Sequence, residues 1–158
     1  MARPDDLFAM LVDTIVDAGL PSDVVGERRL MTVLEGQWKR TIPVLFEVGD
    51  RTLRVTSLLA GRPDERHDEV HAMLLHRNER AGLVHFALDD EGAILVRARI
   101  PLAAVDPALV GELLGEMLTA SDEVFNSVLR TGFGSYLAAE QAWRAARGMP
   151  PNPVADQG

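Results

Sequence analysis

The stretch Ile42-Pro43-Val44-Leu45-Phe46-Glu47-Val48-Gly49-Asp50-Arg51-Thr52-Leu53-Arg54-Val55-Thr56-Ser57-Leu58-Leu59 decides the fold. It reads as a β-hairpin. Gly49-Asp50 is a two-residue Gly-X loop, which suits a type II′ turn because Gly takes a positive φ without strain. That loop sets Val48 opposite Arg51, Phe46 opposite Leu53, Val44 opposite Val55 and Ile42 opposite Ser57. Side chains alternate between faces with period two. Ile42, Val44, Phe46, Val48, Leu53, Val55 and Leu59 therefore share one face, expected to be buried. Leu45, Glu47, Thr52, Arg54, Thr56 and Leu58 share the other. In this register Pro43 makes a non-hydrogen-bonded pair with Thr56, so its missing N–H blocks pairing on the opposite side.

Helices and further strands are expected around this hairpin. Upstream, residues 5–18 form a helix with Pro4 near its start and Asp5 and Asp6 at the positive end of its dipole. Its apolar stripe is Leu7, Phe8, Leu11, Val12 and Ile15. Arg28 to Leu34 reads as a strand. Downstream, Gly61-Arg62-Pro63 breaks the chain, and a helix follows from about Asp64, a candidate N-cap, to Arg80. Leu83 to Leu88 and Ala93 to Ile100 make a second hairpin across Asp89-Asp90-Glu91-Gly92. Asp106-Pro107 opens a long helix, N-cap acid then Pro at the first helical position, that ends at Gly132. Gly111 and Gly115 within it mark a close packing contact. A last helix spans about 135–147. The expected class is α+β: an antiparallel sheet of about five strands, order α-β-β-β-α-β-β-α(-α), in a single domain over 1–147. The Pro-rich residues 148–158 carry no core residue and are expected to be disordered.

Composition limits the function classes. The 158 residues are 47% hydrophobic but only 5% aromatic, so the core is built from Leu, Val, Ile and Ala. With no Cys, disulfides, Cys-ligated zinc and thiol chemistry are excluded. No apolar run reaches membrane-spanning length, and Met1-Ala2-Arg3-Pro4-Asp5-Asp6 is too acidic for a signal peptide. A cytoplasmic protein that binds no membrane is expected. Net charge is −8 and opposes nucleic-acid binding. Residues 28–56 nevertheless hold six basic against three acidic side chains, leaving −11 elsewhere.

The motifs Gly36-Gln37-Trp38-Lys39-Arg40-Thr41-Ile42-Pro43-Val44, Arg51-Thr52-Leu53-Arg54-Val55-Thr56-Ser57 and Arg62-Pro63-Asp64-Glu65 resemble the actinobacterial branch of the YbjN family. Phe86-Ala87-Leu88-Asp89, Arg99-Ile100-Pro101-Leu102 and Phe125-Asn126 fit the same pattern in the same order. That resemblance implies a fold similar to class I type III secretion chaperones, which bind extended peptide segments and commonly form dimers. It implies a sensory-transduction regulator or chaperone-like protein, and it brings no catalytic residues.

His67-Asp68-Glu69-Val70-His71 places two His at i, i+4 on one helix face, as metal sites do. Both metalloprotease orders fail, since Asp68 and Val70 stand where each needs Glu, and exposed His on a charged helix is the plainer reading. No phosphate loop or nucleophile elbow is present. No enzyme, cofactor or metal is therefore expected. What remains is the outward sheet face. Leu45, Leu58 and Leu95 lie there among Arg54, Arg97 and Arg99, with Trp38 at the rim, a pattern suited to a protein partner. The alternative for this face is that helix acids cover those Arg. The expected function is a non-catalytic, homodimeric protein-binding module, chaperone-like or regulatory, that acts through this sheet face and a helix surface, that of the second helix. The alternative function is a small-molecule-sensing regulator with a pocket between the long C-terminal helix and the sheet.

Overall fold

The computed structural model describes residues 2–155. The order is α1 (Pro4–Asp17), β1 (Asp23–Gly26), β2 (Arg29–Leu34), β3 (Ile42–Val48), β4 (Thr52–Ala60), α2 (His67–Glu79), β5 (His85–Leu88), β6 (Ile94–Pro101), α3 (Pro107–Gly132) and α4 (Gly134–Ala146). The strands form one antiparallel sheet in the order β1-β2-β3-β4-β6-β5. The sequence reading treats residues 21–23 as a turn, but the chain continues into the short exposed edge strand β1.

Both hairpin runs form, and their faces are those read from the pleat. Ile42, Val44, Phe46, Val48, Leu53, Val55 and Leu59 are all buried. The register differs. Phe46 lies opposite Val55 and Val48 opposite Leu53. Gly49 has no positive φ, and its N–H donates to the Thr52 carbonyl at 2.9 Å, which centres the reversal on Asp50-Arg51. Tertiary contacts hold that choice: Arg28 reaches the Asp50 carboxylate at 3.5 Å, and the Arg51 carbonyl accepts the Leu102 N–H at 2.9 Å. Moving the centre by one residue moves the register by two. Two is the pleat's repeat, so no side chain changes face.

Pro43 is also reversed from expectation. It lies opposite Val33, and the β2–β3 ladder runs past it to Ile42. The β3–β4 ladder stops at Leu45–Thr56. The Val48 N–H donates to Arg28, so even-numbered residues of β3 bond towards β2 and odd-numbered ones towards β4. The missing N–H of Pro43 therefore faces β4 and ends that ladder.

Helices α1 and α3 lie on one face of the sheet and α2 lies beside β5. Leu7, Leu11 and Ile15 of α1 meet Val110, Leu113, Met117, Val124 and Val128 of α3 in the core. The Asp106 side chain accepts the Leu109 N–H at 2.8 Å and Pro107 follows, so α3 begins as its sequence dictates. α2 starts later than expected, at His67 after a left-handed Arg66, and Asp64 does not cap it. The backbone N–H groups of Asp64 and Glu65 instead donate to the Gly132 carbonyl. Gly132 is the last residue of α3 and has no positive φ, so it is not a left-handed cap; glycine is needed there for space, since a Cβ would stand 2.9 Å from Pro63 and 3.1 Å from Val70. Residues 148–155 add nothing to the core, yet Asn152 donates its backbone N–H to Gln141 and a side-chain N–H to Glu140 of α4. The final part of the expected disordered tail, 156–158, lies outside the described residues.

Candidate partner-binding face

Helices cover one face of the sheet, and the other is built by cross-strand rows. One row runs Arg29–Glu47–Arg54–Arg99 across β2, β3, β4 and β6. The next runs Met31–Leu45–Thr56–Arg97–His85. A third brings Val33 to Pro43, and Leu58 to Leu95 and Ala87. The face thus grades from charged at one end to apolar at the other.

The expected contact residues divide into three groups. Leu58 is 50% exposed and Leu45 half-buried. Arg54 and Arg99 are exposed, and Arg97 is half-buried. Leu95 faces outward but is only 7% exposed, flanked by Leu58 and Ala87, so it supports the patch and does not offer an open contact. Trp38 is not on this face. Its loop is pinned to α3, where one Asp122 carboxylate oxygen accepts the N–H groups of Trp38 at 2.7 Å and Lys39 at 2.8 Å. Helix acids do not cover the arginines. Glu47, itself on the sheet, reaches Arg29 at 3.3 Å and Arg54 at 3.9 Å, and no carboxylate among the described residues pairs with Arg97 or Arg99.

The loop that carries Trp38 explains the Gly-Gln-Trp-Lys motif. A Cβ on Gly36 would press on Asp122 and on the Lys39 carbonyl. The Lys39 ammonium lies 5.1 Å from the Phe125 ring centre, and burial pulls its pKa below the usual lysine range. Glu116 does for the α2–β5 loop what Asp122 does here, accepting the N–H groups of Leu83 and Val84. Sequence reasoning missed both acids, because partners 33 and 84 residues apart leave no local signal.

Two other places bear on function. A cleft of about 810 Å³ opens between the end of α2, the loop before β5 and α3, with Val84 and Phe86 on its floor. An Arg77–Glu123 ion pair of 3.5 Å joins α2 to α3 beside it. The paired histidines are 6.4 Å apart between ring centres, and His67 Nε2 lies 2.6 Å from the Pro63 carbonyl. Among the described residues no group of three or more His, Asp or Glu is placed to hold a metal ion.

A family model named YbjN, described as "Putative bacterial sensory transduction regulator", matches residues 8–130. The chain belongs to the YbjN family. An uncharacterized protein of Mycobacterium leprae is 33% identical over 131 residues, 83% of this chain and 70% of its own length. An uncharacterized protein of Mycobacterium tuberculosis is 36% identical over 119 residues, 75% of this chain and 65% of its own. The YbjN chain described here therefore spans about two thirds of those relatives. Among solved structures, the HopA1-SchA chaperone-effector complex has a chain similar at TM-score 0.59 and 14% identity, covering 79% of this chain and 98% of that one. A chain of the ExsC-ExsE complex matches at TM-score 0.55 and 17% identity, covering 79% and 95%. The fold of this YbjN protein is that of type III secretion chaperones. Among the described residues no helix is long and apolar enough to cross a membrane.

Proposed function

We propose that this YbjN protein is a non-catalytic protein-binding module, chaperone-like or regulatory, that holds a partner chain on the helix-free face of its sheet. One observation carries the reading: that face combines exposed Leu58 with arginines that no helix acid neutralises. Apolar anchors beside Arg are the chemistry of protein interfaces. Likeness to a chain solved in a chaperone-effector complex supports the same reading. The protein acts in the cytoplasm as a homodimer and binds neither nucleic acid nor membrane. The test is affinity capture from native lysate, read by mass spectrometry, with wild type beside Leu58→Asp. Loss of the captured partners in the variant supports the proposal; an unchanged profile ends it.

The cleft beside α2 favours a second reading, a regulator that senses a small molecule. Its volume falls in the range of ligand sites. A ligand that protects Phe86 and Ala120 but not Leu58 in an NMR titration would move the functional site there.

A further inference from the structure

The charges on the bare face are not arranged for the stability of the free chain. Arg54 lies directly opposite Arg99 on the neighbouring strand, and like charges so placed repel. Arg97 stands two residues from Arg99 on the same face and opposite His85. The only carboxylate in these rows that contacts the arginines is Glu47, which is shared between Arg29 and Arg54. The Arg97 Nε is buried and has no hydrogen-bond partner among the described residues. A buried donor left without an acceptor costs free energy. The repulsion between Arg54 and Arg99 is relieved if an anion is laid over Arg97 and Arg99.

We propose that the occupant is a polypeptide segment with acidic side chains over Arg97 and Arg99 and apolar side chains over Leu58 and Leu45. This rests on the sheet-face reading above and adds the partner's chemistry and orientation. Rows two residues apart on a strand are roughly 7 Å apart. The charged row at Arg99 and the apolar row at Leu58 are thus separated by about 13 Å, a span an extended segment covers in about four residues. The partner's acids and apolar residues therefore come from adjacent short blocks. A polyanion fits less well. Glu47 interrupts the row of arginines, so they form no continuous basic track, and the chain's net charge of −8 repels nucleic acid and anionic lipid at long range.

The experiment is selection of a random twelve-residue peptide library on three immobilised proteins: wild type, Arg97→Gln/Arg99→Gln and Leu58→Asp. Circular dichroism confirms that each is folded; if the double variant is not, Arg99→Gln, at an exposed position, replaces it. Wild type is expected to enrich peptides with an acidic block beside an apolar one, and the arginine variant to lose the acidic block. A selected peptide should bind the arginine variant about tenfold more weakly in fluorescence anisotropy. Wild-type peptides without acidic bias, or with the same bias after the arginine change, overturn the acidic partner while leaving the sheet-face reading intact. Equal enrichment on wild type and Leu58→Asp sinks the sheet-face reading itself. Tighter binding of a labelled 20-mer DNA or of phosphatidylglycerol vesicles than of any selected peptide, or dissociation of a wild-type dimer by the arginine variant, assigns the face to another occupant and also overturns the proposal.

Discussion

Glycine shows how little a residue type says until its surroundings are known. Gly111 and Gly115 have the i, i+4 spacing of a helix contact, yet a Cβ at either would meet nothing within 4 Å. They weaken α3 without any packing return that the structure displays. Gly111→Ala and Gly115→Ala should each stabilise the protein by about 1 kcal/mol, seen as a higher urea midpoint at unchanged slope. Gly36→Ala should do the reverse, losing about 1–3 kcal/mol, because its Cβ would stand 2.6 Å from the Lys39 carbonyl. Asp122→Ala leaves the N–H groups of Trp38 and Lys39 without their shared acceptor. It should cost about 1–3 kcal/mol, measured by the same denaturation. The atoms that set Gly36 apart from Gly111 are the Lys39 carbonyl of its own loop and the Asp122 carboxylate of α3, far along the chain.

Elements were legible where their signals are local. Asp106-Pro107 starts α3 as expected, and the alternation over 42–59 buries the expected side chains. Boundaries failed where a distant element claimed the residues. Asp64 and Glu65 read as the acidic first turn of α2, but they serve the α3–α4 junction. The Glu65 carboxylate accepts the Ser135 N–H at 2.6 Å and the Ser135 hydroxyl at 3.0 Å, at the start of α4. Those two bonds, the backbone one foremost, hold its pKa below the usual carboxylate range. A depressed folded pKa means the contribution is complete above the unfolded value of 4.5 and is lost as pH falls through the folded one. Trp143 fluorescence, reporting α4, should therefore hold steady from pH 7 to 4.5 and change below it. Glu65→Gln should reduce that acid-range step and leave the part due to Glu140 of α4, whose bonds to Arg144 and Asn152 also hold its pKa low. Edges follow the same rule. The Asn78 side chain bonds both the N–H and the carbonyl of Phe86, closing the β5 edge with a helix residue.

At the scale of the whole molecule, one face of the sheet is a core and the other is free, and the proposed function depends on that asymmetry. Light scattering should give twice the chain mass of 17.3 kDa. Leu58→Asp should leave the melting temperature within about 2 °C of wild type, since the side chain is 50% exposed, while abolishing partner capture. The sequence by itself determined the α+β class, the identity of the buried face and the start of α3. Each follows from side-chain periodicity or a cap, and those act over a few residues. Tertiary structure alone decided the turn centre, the side on which Pro43 ends pairing, the burial of Leu95 and the anchoring of two loops by Asp122 and Glu116. Those outcomes are set by hydrogen bonds and packing between residues far apart in the chain, where spacing within a motif carries no information.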